Sequence, residues 1–595
     1  MRPRRLLAAL LTALAVAVAL PAAASAHATL EASTPERGAA LERPPATVTL
    51  RFDEPVEIAF GAIKVFDAKG GRVDAGATYH PSSSGKEVAV HLKRGLGGGG
   101  YTATYRVISA DAHPVSAGFV FTVGSGAAPA ETVDQLLQGS DAGPGTGVAF
   151  GAARAVQYAA IALGLGAFVF LVLVWLPGLR EVAGGGSEWR EASAAFARRL
   201  RLLLIVAAVA GMASAAAAIV LQGATAGGTS VWAALNGTVL GDVLSTRFGV
   251  VWGVGVLAWA CVLAGATLAR AAVPALRPAS VGATGLALPT ATGAGTVVAL
   301  AVPLVALAFL PALGGHASVQ SPRWLLLPTN VVHVVCMAAW LGGVTVLVFA
   351  LRRATSGLEA GDRTRLLAAT VARFSTMAGI AVALLLLSGV VQSVVYVRTP
   401  AHLLDTAFGR AVLIKFVLFC GLVALGYVNR RRLLPRLRRA AADGGGPGTA
   451  GVLLRRVLRA EVVLGVVVLA VTGALAGYAP STAVSAGPYS TSATLGPARL
   501  EATVAPARPG RNEVHLYLFD RASGRQYDAT KELTVDASLP SKGIAPIALD
   551  ARRAGPGHYV VTNASLGVTG KWAMRVTARV SEFDEYAATL KVPVR

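Results

Sequence analysis

Three residues in this chain stand where their types and spacing could hold a metal ion: His27, Asp111 and His113. His27 comes directly after Ala24-Ser25-Ala26, which closes the apolar run Leu6–Leu20, and Arg2, Arg4 and Arg5 precede that run. A basic start, a short apolar core and a small-x-small site make a secretory signal, with cleavage after Ala26. Cleavage would leave His27 with a free α-amine, which together with ring Nδ1 closes a chelate on one ion. Nitrogen donors in a tetragonal arrangement favour Cu(II). In "ISADAHPVSAGF", Asp111 and His113 are two apart, so on an extended strand both side chains leave from one face. Three nitrogens and one carboxylate make a set suited to Cu(II). The alternative is that signal peptidase is indifferent to the residue after its cleavage site, and that Asp-x-His pairs are common on surfaces.

A second constellation lies in the apolar stretch "NVVHVVCMAAWLGGV", residues 330–344. Read as a helix, it carries Asn330 and His333 near one end. Met337, four residues on, shares the face of His333, and Cys336 sits on its edge. Imidazole, thioether and thiolate are increasingly soft donors, a series that suits Cu(I). "GGHASV" puts His316 at the end of the preceding apolar run. Gln392, Lys415 and Glu461 are further polar groups inside apolar runs, where such groups are costly and tend to mark pathways. Each has an ordinary alternative. His333 could bridge two helices, Cys336 and Met337 could fill space, Lys415 could reach outward to the interface, and Gly342-Gly343 could serve close helix packing. His80 and His91 read as structural or solvated, and no ligand set converges on His515 or His558.

The elements that must position these residues are read from composition. Of 595 residues, 54% are hydrophobic and 14% charged, too apolar for an ordinary soluble protein. Helices are expected near 154–176, 202–222, 249–269, 294–314, 330–350, 376–397, 409–429 and 457–477, each about the length that spans a bilayer. The net charge of +22 is not a nucleic-acid signature, because the arginines concentrate in alternate loops between these runs. By the positive-inside rule those loops are cytoplasmic, and an even number of spans returns both ends to the outside. Residues 27–124 alternate as "TVTLRF", "AIKVFD", "EVAVHL", "YTATYRVIS" and "GFVFTV", an immunoglobulin-like β-sandwich. A Gly/Ala/Pro-rich linker covers 125–150, the helical region 151–480, and a second extracytoplasmic β-sandwich 485–595, with strands at "RLEATVAP", "NEVHLYLFD", "HYVVTNAS" and "WAMRVTARV". The fold class is a multi-domain membrane protein: a β-sandwich, an all-α bundle of about eight spans, and a second β-sandwich.

The start "HATL", the segment "LRFDEPV" and "SADAHPVSAGFVFTV" resemble the CopC family of periplasmic copper-binding proteins. The resemblance implies a Cu(II) site at His27, Asp111 and His113. Some members also hold Cu(I) on methionines. The five methionines here are Met1, Met212, Met337, Met377 and Met574, none of them in residues 27–124, so no such site is expected. "NVVHVVCMAAWLGGV", "FGRAVLIKFVL", "GYVNRRRLLP" and "LRAEVVLGVVVLAVTGAL" resemble the CopD family, and the tail resembles the YtkA-like group. Together these resemblances imply a fusion in the bacterial cytoplasmic membrane that captures Cu(II) outside and passes copper inward along His316, His333, Met337 and Cys336. Copper and the bilayer are its expected partners, with an extracytoplasmic copper chaperone or reductase as a further one.

Other classes compete. A copper store, sensor or resistance component would bind without transport. A polysaccharide-cleaving copper oxygenase also uses an N-terminal histidine, but it gives no reason for eight spans. A haem oxidoreductase needs paired intramembrane histidines, and only His333 lies well inside. A non-enzyme is therefore expected, and without a "GxxxxGK[ST]" motif no ATP drive is visible.

Overall fold

The computed structural model describes residues 28, 30–36, 39–110, 112–124, 136, 142–184, 186–268, 291–397, 399–478, 489–522 and 526–594. The expected signal segment, His27 and Asp111 lie outside the described residues.

The first domain is a two-sheet sandwich. Its strands are β1 (Leu30–Thr34), β2 (Ala40–Leu41), β3 (Thr47–Phe52), β4 (Ile63–Phe66), β5 (Asp74–Tyr79), β6 (Glu87–Leu92), β7 (Gly99–Ile108) and β8 (Pro114–Val123). One sheet runs β1-β3-β6-β5 and the other β2-β8-β7-β4. Alternation drives the packing: Val48, Leu50 and Phe52 of β3 point into the core with Val88 and Val90 of β6 and Val107, Phe119 and Phe121 of the facing sheet. The short strands β1, β2 and β5 carry no clear alternation, and the sequence pattern does not reveal them.

Asp74 ties the two sheets together. Its Oδ1 accepts from the Val65 amide at 3.0 Å and from Arg72 Nε at 2.9 Å. Burial pushes the carboxyl pKa up, but the Arg72 hydrogen bond, the Val65 amide and the Arg72 charge outweigh this and hold it below its ordinary value. Its contribution is therefore present above the unfolded value near ~4 and lost as pH falls through the lower folded value. Asp74→Ala leaves a buried amide without its acceptor and is expected to cost about 1–3 kcal/mol. Faster hydrogen exchange of the Val65 amide at neutral pH, with the gap to wild type closing in acid, is the measurable result.

The middle of the chain is helical. A helix occupies each of the eight expected apolar stretches: α1 (Gly145–Val182), α2 (Ser187–Gly227), α3 (Arg247–Leu268), α4 (Ala291–Leu313), α5 (Arg323–Leu351), α6 (Ala360–Val397), α7 (Ala407–Ala442) and α8 (Gly448–Leu475). Among the described residues seven are long and apolar enough to cross a membrane; the apolar stretch of α4, Val297–Leu313, is shorter and contains Pro303 and Pro311. Several helices extend beyond their apolar centres, because their basic ends continue the helical hydrogen-bond ladder outside the apolar zone. α1 and α5 cross with their backbones nearly touching. A Cβ on Gly342 would stand 2.8 Å from Gly166 Cα, and one on Gly166 would stand 2.7 Å from Gly342 Cα. Small residues at a crossing let apolar helices approach this closely.

The last domain has two antiparallel sheets. Its strands are β9 (Tyr489–Leu495), β10 (Ala498–Ala505), β11 (Gly510–Asp520), β12 (Glu532–Leu539), β13 (Ile544–Leu549), β14 (Arg552–Gly555), β15 (His558–Leu566), β16 (Gly570–Arg579) and β17 (Glu585–Val594). They order as β14-β15-β11-β10-β9 and β13-β12-β16-β17 around Leu516, Leu518, Val535, Trp572 and Met574.

Candidate functional site

In the first domain His113 directly precedes β8, where Ile108 pairs with Pro114 across the β7–β8 hairpin. Asp111, and with it the expected shared face with His113, lies outside the described residues. The loop is tightly made: the Ser109 amide and hydroxyl both donate to the His113 carbonyl, at 3.0 and 2.8 Å, and Ala112 takes a left-handed φ of 69°. A non-glycine residue in that region is costly and persists where its surroundings demand it. Glu54 accepts from the Ala110 amide at 3.3 Å. His80 Nδ1 bonds the Glu87 carbonyl at 2.8 Å, and His91 stacks on Tyr79 at 5.1 Å, so both rings serve the sandwich. Among the described residues no group of three or more His, Cys, Asp or Glu side chains stands ready to hold a metal.

Within the helical region three of the sequence-derived polar residues, Asn330, His333 and Gln392, meet at one seam between α5 and α6. His333 Nδ1 lies 2.9 Å from Ser388 Oγ, and the Ser388 hydroxyl donates to the Leu385 carbonyl at 3.1 Å. A Ser388 hydroxyl donating to Leu385 accepts from His333 Nδ1–H, and in that tautomer Nε2 carries the lone pair, with no hydrogen-bond partner among the described residues. One turn away, Asn330 Nδ2 donates to Gln392 Oε1 at 3.2 Å, and Gln392 Nε2 donates to the Ser388 carbonyl at 3.2 Å. Asn330 Oδ1 is buried with no partner among the described residues. Two bare lone pairs, an imidazole nitrogen and an amide oxygen, thus stand one helical turn apart on α5. Both are suited to a cation. Lys415 of α7 is the charged group that acts electrostatically on the His333 ring.

His316 sits in the turn His316–Ser318 between α4 and α5, edge-on to Tyr396 of α6 at 6.3 Å. Deeper in the bundle, Cys336 is buried and lines a cavity of ≈950 Å³ between α1, α5 and α6. Met337 does not line this cavity, but Met377 of α6 does. Sequence reasoning missed Met377 and Ser388, because nothing local marks which helix faces which. The cavity lining also includes Glu181, Arg365, Arg373 and Arg438, with Arg373 Nη2 paired to Glu181 at 2.9 Å. Glu461 is buried on α8 and accepts from Asn429 Nδ2. Trp340 packs edge-on against Phe419 of α7 at 6.0 Å, a space-filling role.

In the last domain His515 and His558 come together as a pair, with no group of three or more donors around them among the described residues. His515 Nδ1 lies 3.2 Å from His558 Nε2, and His515 Nε2 lies 3.0 Å from Glu513 Oε1. Residues far apart in sequence meet because β11 and β15 are neighbours, with Tyr517 opposite His558. Burial, and then the neighbouring His515 ring, hold the His558 pKa well below the ordinary imidazole value, so this ring is neutral.

A β-sandwich, then a bundle of apolar helices with a histidine-centred polar seam, and then a second two-sheet domain define a multi-pass membrane protein with a β domain at each end of its chain. Residues 30–124 match the CopC domain family, 145–296 the copper resistance protein D-like N-terminal domain, and 368–475 copper resistance protein D. The chain thus carries CopC and CopD family domains in one polypeptide. It is 28% identical over 571 residues to Copper transport protein CutJ of Bacillus subtilis (strain 168), covering 94% of each chain. Among solved structures it is similar to CopC from Methylosinus trichosporium OB3b, at 28% identity over 18% of this chain and 98% of that one, with a TM-score of 0.16. It is also similar to PcoC, a methionine-rich copper resistance protein from Escherichia coli, at 27% identity over 17% of this chain and 100% of that one, with a TM-score of 0.15.

Proposed function

We propose that this protein captures Cu(II) outside the cytoplasmic membrane and passes copper inward through its helical bundle. The observation that carries this reading is the His333 ring, oriented by Ser388 with Nε2 free, inside an apolar bundle that one chain joins to a CopC domain. A ligating imidazole normally spends its second nitrogen on an orienting partner, and Ser388 is that partner here. Capture falls to the amine and ring of His27, exposed after cleavage at Ala26, with Asp111 and His113. His316 and Asn330 then receive the ion, His333 binds it, and Cys336 with Met377 takes it as Cu(I) towards the arginines that line the cavity. An extracytoplasmic reductase supplies the electron. The alternate, arginine-rich loops face the cytoplasm, and the membrane potential favours inward passage by ~2.3 kcal/mol per charge at 100 mV.

Uptake of copper into vesicles of defined orientation tests transport against storage; binding without accumulation would leave a storage or resistance protein. The capture site has its own test. His113→Ala, or a chain with one residue retained ahead of His27, is expected to lower Cu(II) affinity by more than about 100-fold, since even an outer partner of a ligand is worth about 10–100-fold. Equal affinity for free and blocked N-termini, measured by competition titration, would remove the chelate.

A further inference from the structure

We infer that His515 and His558 of the C-terminal domain form a second metal site, open to exchange, for a tetrahedral d10 ion, Cu(I) or Zn(II). The site is built across two neighbouring strands. On β11, Val514, Leu516 and Leu518 enter the core, so Glu513, His515 and Tyr517 share the opposite face. Tyr517 is paired with His558 of β15, which makes His558 the diagonal neighbour of His515. The two facing nitrogens are 3.2 Å apart. An ion held at about 2.0–2.1 Å from each imidazole nitrogen would subtend roughly 105° between them, close to tetrahedral.

The surroundings support ligation. Glu513 Oε1 stands 3.0 Å from His515 Nε2, on the side of the ring away from His558. Tyr517 stacks flat on the His558 ring at 4.3 Å and 7°, fixing its plane. Both histidines are buried, with relative exposures of 6% and 1%. Only two protein ligands converge, since no group of three donors is found among the described residues. Structural sites for such ions are closed by four protein ligands, while sites that exchange ligands keep positions open. The inference stands apart from the capture site of the first domain and survives if that site fails.

The test uses the full-length protein carrying His113→Ala, His333→Ala and Cys336→Ala, so that neither the first domain nor the membrane path masks the count. Zn(II) and Cu(I) are titrated separately, each against a competing chelator. The expected result is one tight equivalent of at least one ion, with X-ray absorption reporting histidine nitrogen donors. His515→Ala and His558→Gln are each expected to remove that equivalent. If the domain keeps its circular dichroism and melting behaviour while both histidine variants bind each ion as before, the proposal fails. It fails equally if no such equivalent is found, which would leave a plain histidine–histidine hydrogen bond.

Discussion

His333→Ala is expected to abolish copper uptake, a fall of roughly 100-fold or more, while Cu(II) capture by the first domain continues unchanged. The size comes from position. His333 is the imidazole at the centre of the α5–α6 seam, and its Nε2 carries no hydrogen bond among the described residues. Removing a metal's own ligand exceeds the loss of its orienting partner, which is about 10–100-fold. Ser388→Ala therefore forms a graded companion: with no acceptor for Nδ1–H, the ring is free to turn, and uptake should fall within that smaller range. Asn330→Ala removes the buried amide oxygen one turn away and should weaken entry in the same sense. The competing account, in which His333 only ties α5 to α6, predicts a different pattern. Stability would then fall in both His333→Ala and Ser388→Ala, while uptake per folded molecule would stay normal. Measuring radiolabelled copper entry and folded fraction on the same vesicles separates the two.

Gly342→Val is expected to be the most damaging change to the bundle, costing about 3 kcal/mol or more, since overpacking a tight interior already costs typically about 1–3 kcal/mol. The added atoms would meet backbone, not a yielding side chain: the Ala162 carbonyl and Gly166 Cα of α1 occupy the space. Two helices can relieve such a clash only by separating, and separation removes the contacts of α1 with α5 along its length. The α5–α6 seam depends on α5 keeping its depth and rotation, so copper uptake should be lost together with the folded fraction. Gly426→Ala is the control. Gly426 is also helical, has open space where a Cβ would go, and should be neutral or stabilising by about 0.5–1 kcal/mol. Thermal melting followed by size-exclusion chromatography reads both variants. Indifference of the protein to valine at 342 would show that the α1–α5 crossing is not what holds the bundle.

Much of the molecule was legible without coordinates. Eight apolar stretches became eight helices because a segment in lipid must satisfy its own backbone hydrogen bonds, a demand met locally by the helix and visible as uninterrupted apolar length. The long strands β3, β6, β10, β11 and β16 were equally plain, since alternation along one strand is a local pattern. Short or half-exposed strands such as β2, β13 and β14 lacked that pattern, because they bury too little to need it.

Residue order by itself therefore determined the kind of segment at each place, and which residues are polar where polarity is costly. It marked His333, Asn330 and Gln392 as exceptional, and His113 as part of a conspicuous motif. Only the tertiary structure decided who meets whom. Ser388 stands 55 residues from His333, Gln392 stands 62 from Asn330, and His558 stands 43 from His515. The reason is physical. Periodicity within one element reveals which face is buried, but the depth and rotation at which that face meets another depend on how all the elements pack at once.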